Sequence, residues 1–235
     1  MDAWAFFRTK DKLMRSVFDS YLSVCSPDNI CDIGCFNADE IVRFKQLSPN
    51  SSFYAFEANE ANLRQFILSR SDIDGISFEH IAIADRDGET TFYRLVAEEF
   101  AHDWRRAAGS LFERSDGLPA EAVTVPCTKL DTYFRDAIDR QETFALWIDV
   151  EGALFQVIQG APEIMKRTII LRAEVERHQF WKGQRLVDED IAAIEGHGFV
   201  LIGDSYTADA HPQSDVLFLN KNWLELAANS TRRDK

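Results

Sequence analysis

Two acids set the chemistry this chain can offer. Asp32-Ile33-Gly34 closes one short apolar run, and about 25 residues later Phe56-Glu57 closes a second. If the runs are neighbouring parallel strands, both ends face one crevice, because ligands in such sheets sit beyond the carboxyl ends of the strands. Gly34 would let backbone approach a ligand without a Cβ, and Glu57 can accept hydrogen bonds from both hydroxyls of a ribose. NAD and S-adenosylmethionine would each use such an acid, and the glycines separate them. A pyrophosphate needs a glycine-rich turn at a helix N-terminus, whereas Gly34-Cys35-Phe36-Asn37-Ala38-Asp39 holds one glycine and leads into Asp39 and Glu40, which oppose a phosphate. The cationic sulfonium and ammonium of S-adenosylmethionine suit this loop better, with Asp32 set to meet the amino group. An NAD-dependent oxidoreductase is the lesser alternative, and strand ends with incidental acids are the structural one.

A second group of acids follows later. Asp149 and Glu151 end one apolar run, and Glu174 and Glu176 end the next, so all four are expected at the same mouth. Clustered carboxylates there could take a proton from an acceptor hydroxyl, orient that acceptor, or hold a hard cation such as Mg²⁺. Glu151-Gly152 could equally cap the following helix, where a carboxylate favours the N-terminal dipole. His178 is the best-placed histidine for base chemistry near neutral pH, with a solvated loop residue as its plainer reading. Trp104, Phe180 and Trp181 fall on loops at the same end, where aromatic faces stack on a sugar ring or serve as core cover.

Elements that would position these groups can be read from periodicity. Residues 2–25 repeat apolar side chains at spacings of three and four, an amphipathic helix expected to pack and to carry no function. From Asn29 short apolar strands alternate with helical stretches, the pattern of a parallel sheet built from βαβ units. Strands are expected at 29–33, 52–56, 76–83, 144–150, 168–175, 199–203 and 215–220, and helices at 38–47, 60–70, 130–138, 154–166 and 188–196. Residues 89–95 read as an added antiparallel hairpin and 96–121 as a long loop of the kind that serves as a lid. The last two strands, with no helix between them, suggest an antiparallel pair at the sheet edge. The whole is a Rossmann-like α/β fold, a mostly parallel seven-stranded sheet with helices on both faces, in a single domain over 1–235 with a polar tail at 229–235.

The succession CDIGCFNADE, FYAFEANEANL, IAIADRDGETTFY, GSL, TKLDTYF, LWIDVEGALFQVIQGA and ILRAEVE resembles the FkbM family of methyltransferases, in that family's order, from about residue 29 to 176. The resemblance implies a class I S-adenosylmethionine-dependent O-methyltransferase acting on a small, often sugar-containing acceptor. It carries Asp32, Gly34 and Asn37 onto the first cofactor loop, Glu57 and Ala58 onto the ribose-binding position, and Asp149, Glu151 and Gly152 onto the strand-four motif. Ser110 matches a short Ser-Leu element, and Ala82 falls where strand three would line the adenine. Phe36 and Ala38 stand where the family usually has Asn and a second Gly, and Ala58 where it usually has Pro. A non-catalytic binding module of the same fold is the competing reading.

Composition bounds the partners. The 235 residues are 46% hydrophobic, enough for a full core, and the formal net charge of -13 would repel a nucleic-acid backbone over most of the surface. Arg105-Arg106 is the basic exception, expected to be solvated. Cys25, Cys31, Cys35 and Cys127 fit neither a zinc site nor a disulfide scaffold and are expected reduced and mostly buried. Without a signal peptide at the N-terminus or a roughly 20-residue apolar span, a soluble cytoplasmic protein with a small-molecule or glycan acceptor is expected.

Overall fold

A computed structural model describes residues 3–96, 104–207 and 212–224. The chain starts with helix α1 (Ala3–Cys25), whose Met14, Phe18 and Leu22 recur every fourth residue and are buried. Then come β1 (Asn29–Ile33), α2 (Asp39–Leu47), β2 (Ser52–Phe56), α3 (Glu60–Asn62), β3 (Ile76–Glu79), β4 (Ala82–Ile83) and β5 (Gly88–Leu95). After a 3₁₀ turn at Trp104–Arg106 follow β6 (Gly109–Ser110), β7 (Ala120–Thr128), α4 (Leu130–Tyr133), α5 (Arg135–Asp139) and β8 (Phe144–Ile148). The remainder is α6 (Leu154–Gln159), α7 (Pro162–Arg167), β9 (Thr168–Glu176), α8 (Val187–Gly196), β10 (Phe199–Asp204) and β11 (Gln213–Asn220).

Among the described residues, seven of these strands form the main sheet in the order β10-β11-β9-β8-β1-β2-β3. Only β11 in this sheet runs against its neighbours, because the connection between Asp204 of β10 and Gln213 of β11 is too short for a parallel crossover. Strands β1 and β8 are buried along their whole length, as central parallel strands covered on both faces must be. Their side chains alternate. Cys31, Ile33, Leu146 and Ile148 join one core with Leu154, Ile158, Ile164 and Ile194 from α6, α7 and α8, whereas Ile30 and Trp147 join another with Phe18 of α1 and Phe44 of α2. Helices therefore cover both faces, as the apolar patterns require. No helix among the described residues is long and apolar enough to cross a membrane.

Several elements depart from the expected pattern. The 76–83 run is not one strand: β3 pairs with β2, and after His80-Ile81 the chain changes sheets, so that Ala82 and Ile83 pair with Cys127 and Thr128. There β4, β7, β5 and β6 make a second, four-stranded sheet, in which β5 pairs antiparallel with β7 and not with the strand before Gly88, so the Asp85–Gly88 turn does not close the expected hairpin. The 60–70 helix lasts one α-turn before widening into a π-turn at Leu63–Ile67, where Leu68 N–H donates to Leu63 O (3.0 Å). The described part of the 96–121 loop is more ordered than expected, contributing the 3₁₀ turn, β6 and the start of β7.

Candidate active site

β1, β2 and β8 are adjacent and parallel, so their carboxyl ends open together. A cleft lies there, lined by Gly34, Glu57, Ala58, Asn59, Asn62, Ala82, Phe92, Arg106, Leu111, Asp149 and Val150. Gly34 has no substitute: at φ +84° any Cβ would stand 1.8 Å from the Asp149 carbonyl oxygen. This carbonyl is where the β1 and β8 ends meet.

Glu57 is the polar centre of the cleft. One carboxylate oxygen accepts the Phe36 N–H (2.9 Å) and the other the Asn59 N–H (2.6 Å). Burial pushes its carboxyl up to about 7, against the pull of these two N–H groups and of Asn62. Each oxygen can accept a further hydrogen bond, so a diol reaching the cleft would find two acceptors already oriented.

Beside the cleft, one carboxylate oxygen each from Asp149, Glu151 and Glu174 lie within 4.8 Å of one another. Gln213 of β11 donates through Nε2 to both Glu174 Oε1 (2.9 Å) and Glu151 Oε2 (3.3 Å). Burial, then the negative charge of Asp149, raises Glu151 to about 8, and burial together with Asp149 and Glu151 pushes Glu174 well above the carboxyl range. Burial also raises Asp149, opposed by the charges of Arg172 and Arg15. Packed this closely, the three cannot all be ionised near neutral pH, and they share protons. Their oxygens also lie close enough together to serve as three of the oxygen ligands of one hard cation. Glu151 itself sits at φ +50° and Gly152 at φ +78°, so the chain leaves β8 through a left-handed turn.

Of the residues expected to bind a cofactor, Gly34, Glu57, Ala58, Ala82 and Asp149 line the cleft. Asp32 does not. Alternation along β1 turns it to the α2 face, where the Ile41 N–H reaches its carboxylate and burial with Glu40 and Asp149 nearby raises it. Asn37 is occupied with Asp39, donating to its carboxylate (2.7 Å) and accepting its N–H (3.1 Å). Ser110 is buried and donates to the Glu151 carbonyl (2.6 Å), tying the second sheet to the acid turn rather than lining the cleft. His178 is exposed on the turn after β9, apart from the acid trio. Trp181 is fully buried with the Arg114 guanidinium over its ring (4.6 Å), so it is core cover, while Phe180 is half-buried under the same guanidinium (5.2 Å). The Trp104 side chain lies outside the described residues, as does the 229–235 tail.

Several groups escaped sequence reading. Arg106, expected to be solvated, lines the cleft; its carbonyl accepts from Asn62 Nδ2 (2.9 Å) and its guanidinium bonds Gln65. Asn59 is the N-cap of α3, taking the Ala61 N–H, a signal present in the Asn-Glu-Ala-Asn stretch. Helix α1, expected only to pack, sends Asp11 to buried Arg172 (2.9 Å), which also pairs with Asp215 (2.7 Å) and lies over Trp147 (3.8 Å). The four cysteines are free, with Cys31, Cys35 and Cys127 buried as expected and Cys25 exposed.

Comparison with known proteins gives the site its context. The methyltransferase FkbM domain matches residues 32–201. The 2-O-methyltransferase NoeI of Sinorhizobium fredii is 27% identical over 165 residues, an alignment covering 66% of this chain and 66% of that protein, so the chain spans just under two thirds of its relative. Among solved structures, the methyltransferase FkbM of Methylobacillus flagellatus KT has a TM-score of 0.45 at 11% identity, covering 82% of this chain and 44% of that one. The magnesium protoporphyrin IX methyltransferase of Synechocystis PCC 6803, solved with bound SAM, also has a TM-score of 0.45, at 14% identity over 91% of this chain and 79% of that one. The matched domain runs from the end of β1 into β10 and takes in Gly34, Glu57 and the acid trio: the chain belongs to the FkbM family of methyltransferases.

Proposed function

We propose that this chain is an S-adenosylmethionine-dependent O-methyltransferase that methylates a hydroxyl of a small, sugar-containing acceptor. One observation carries the reading: Asp149 lines the cleft that holds Glu57 and also belongs to the acid trio, so a cofactor site and a proton-accepting site share a wall. The cleft suits the cofactor, since Glu57 offers two preoriented acceptors to a ribose diol and Ala82, Phe92 and Leu111 offer an apolar wall to a purine. When bound, S-adenosylmethionine supplies an electrophilic methyl group on sulfur.

The chain's own residues do the rest. Glu57 orients the ribose, and Asp149 borders both cofactor and acceptor. With the cofactor bound, the Asp149–Glu151 pair would take the proton that the acceptor hydroxyl gives up as its oxygen accepts the methyl group. Glu174, protonated and held by Gln213, donates to a neighbouring acceptor oxygen. Carboxylates and carboxyls together match a polyol, which both donates and accepts, and the relative named as a 2-O-methyltransferase supports a hydroxyl acceptor. A Mg²⁺-type cation on the same three carboxylates is the second reading, favoured by their 4.8 Å spacing. The reading treats the chain as one catalytic domain, and its free buried thiols support a cytoplasmic setting.

Calorimetric titration with S-adenosylhomocysteine and with NAD tests the cofactor. Micromolar binding of the first and none of the second is expected, and binding of NAD alone overturns the proposal. Transfer of labelled methyl to a panel of free sugars and glycosides, with and without EDTA, tests the acceptor and the cation. Cofactor binding with no transfer to any hydroxyl would favour a binding module.

A further inference from the structure

The loop that carries Gly34 is bent in a way its residues resist. Phe36 lies at φ +46° and Ala38 at φ +65°, left-handed positions that cost a side-chain-bearing residue energy. Yet this bend aims the Phe36 N–H at Glu57. Something outside the loop must hold it, and the segment leaving β2 supplies the contacts. Its π-turn turns Phe66 onto the Phe36 ring, with centroids 4.9 Å apart and planes tilted by 56°. Four residues further on, Arg70 donates to the Asn37 carbonyl (2.9 Å) and pairs with Asp39 (2.5 Å). At its other end the same segment reaches the loop before β6, which also lines the cleft, through Asn62 to the Arg106 carbonyl and through Gln65 to the Arg106 guanidinium.

We infer that residues 62–70 form a clamp joining two loops that line the cofactor cleft, and that Phe66 is a positioning residue that sets the Phe36 N–H against Glu57. The π-turn has a purpose in this arrangement. A widened turn changes where the next side chain points, and here it brings Phe66 to Phe36. The inference rests on the cofactor reading above, since the cleft it serves is the one assigned to S-adenosylmethionine.

The test is S-adenosylhomocysteine binding by calorimetry between pH 6 and 8.5, alongside the melting temperature, for wild type, Phe66→Ala and Phe66→Tyr. Phe66→Ala should weaken binding by about three- to tenfold, the worth of an aromatic pair, while Phe66→Tyr, which keeps the ring, should restore it. A second readout concerns Glu57, which faces the Phe36 and Asn59 N–H groups, the Asn62 amide and the Asp149 carboxylate, with Asp32 and Cys35 close by. Loss of a well-aligned Phe36 N–H disfavours its ionised form, so the pH midpoint of binding should rise in Phe66→Ala. A purely structural role would lower the melting temperature and leave that midpoint in place. Equal affinity in all three proteins, an unmoved midpoint, or equal losses in the Ala and Tyr variants overturns the inference. If Phe66→Ala does not fold, Phe66→Leu is compared with Phe66→Tyr on the same criteria. Failure of the wild type to bind S-adenosylhomocysteine refutes the cofactor reading instead.

Discussion

Replacing Glu57 with glutamine should weaken cofactor binding at every pH and change stability in a way that depends on pH. The carboxyl is 6% exposed and raised from 4.5 to about 7, a gap worth roughly 3.4 kcal/mol. For an acid raised in the folded state the sign is fixed: the native protein holds more protons than the unfolded chain between pH 4.5 and about 7, so stability falls as pH rises through that window. Glutamine cannot ionise and removes this penalty. Its amide keeps only one oxygen for the Phe36 and Asn59 N–H groups and turns an NH₂ toward the other, which costs about 1–3 kcal/mol. Below pH 5 Glu57→Gln should therefore melt lower than wild type, and above pH 8 the difference should vanish or reverse. S-adenosylhomocysteine binding should weaken throughout, by about 10- to 100-fold at pH 8, since charged hydrogen bonds to a ribose are worth about 1.5–3 kcal/mol. Calorimetry and thermal melts over pH 5–8.5 read both quantities. Unchanged affinity would refute the ribose assignment, and a melting difference that does not vary with pH would refute the burial argument.

Gly34→Ala should lose cofactor binding and at least about 3 kcal/mol of stability, lowering the melting midpoint by roughly 6–12 °C, because its Cβ meets the Asp149 carbonyl at 1.8 Å; near-native melting would contradict the close approach of β1 and β8. Arg172→Met would leave buried Asp215 without its cation and Asp11 with Arg15 alone, at a cost of about 3–5 kcal/mol in denaturant unfolding, and a loss below 1 kcal/mol would show that α1 is not anchored through this residue. Asp190 in α8 is 2% exposed, has a buried Oδ1 without a partner among the described residues, and is raised by burial from 3.8 to about 7 despite Arg185. Its ionisation costs stability as pH climbs through that range, so Asp190→Asn should gain on wild type between pH 5 and 8, by at most about 4 kcal/mol; a constant difference in chemical denaturation would show that Asp190 is solvated.

What the sequence disclosed follows from which forces act locally. Strand ends are marked by the residue that interrupts an apolar run, and β1 and β2 start and stop where their runs do, at Ile33 and Phe56. Glu57 was legible because a parallel sheet leaves the strand-end acid nowhere to go but the crevice. Asp149 and Glu151 were legible for the same reason, and the trio then assembles because β8 and β9 pair in parallel. Asp32 falls outside the cleft lining because position along the chain and direction of the side chain are separate facts. One residue short of a strand end, the two-residue alternation points the other way, and Ile33 took the cleft instead.

The groups that escaped reading are set by contacts that no local pattern encodes. Gln213 reaches Glu174 across 39 positions and Glu151 across 62, and it does so only because β11 runs antiparallel to β9 in a register that pairs Asp215 with Glu174. Shifted by one residue, the strand would turn Gln213 to the other face. Asp11 meets Arg172 across 161 positions, through a helix whose apolar stripe fixes which face is buried and leaves its axial placement to the sheet. The π-turn is the sharpest case. The 60–70 stretch has the composition of an ordinary helix, and only the demand of a left-handed loop on the facing strand gives a reason to widen it at Phe66. Local preference and tertiary requirement conflict in that turn, and it is the turn that borders the cofactor cleft.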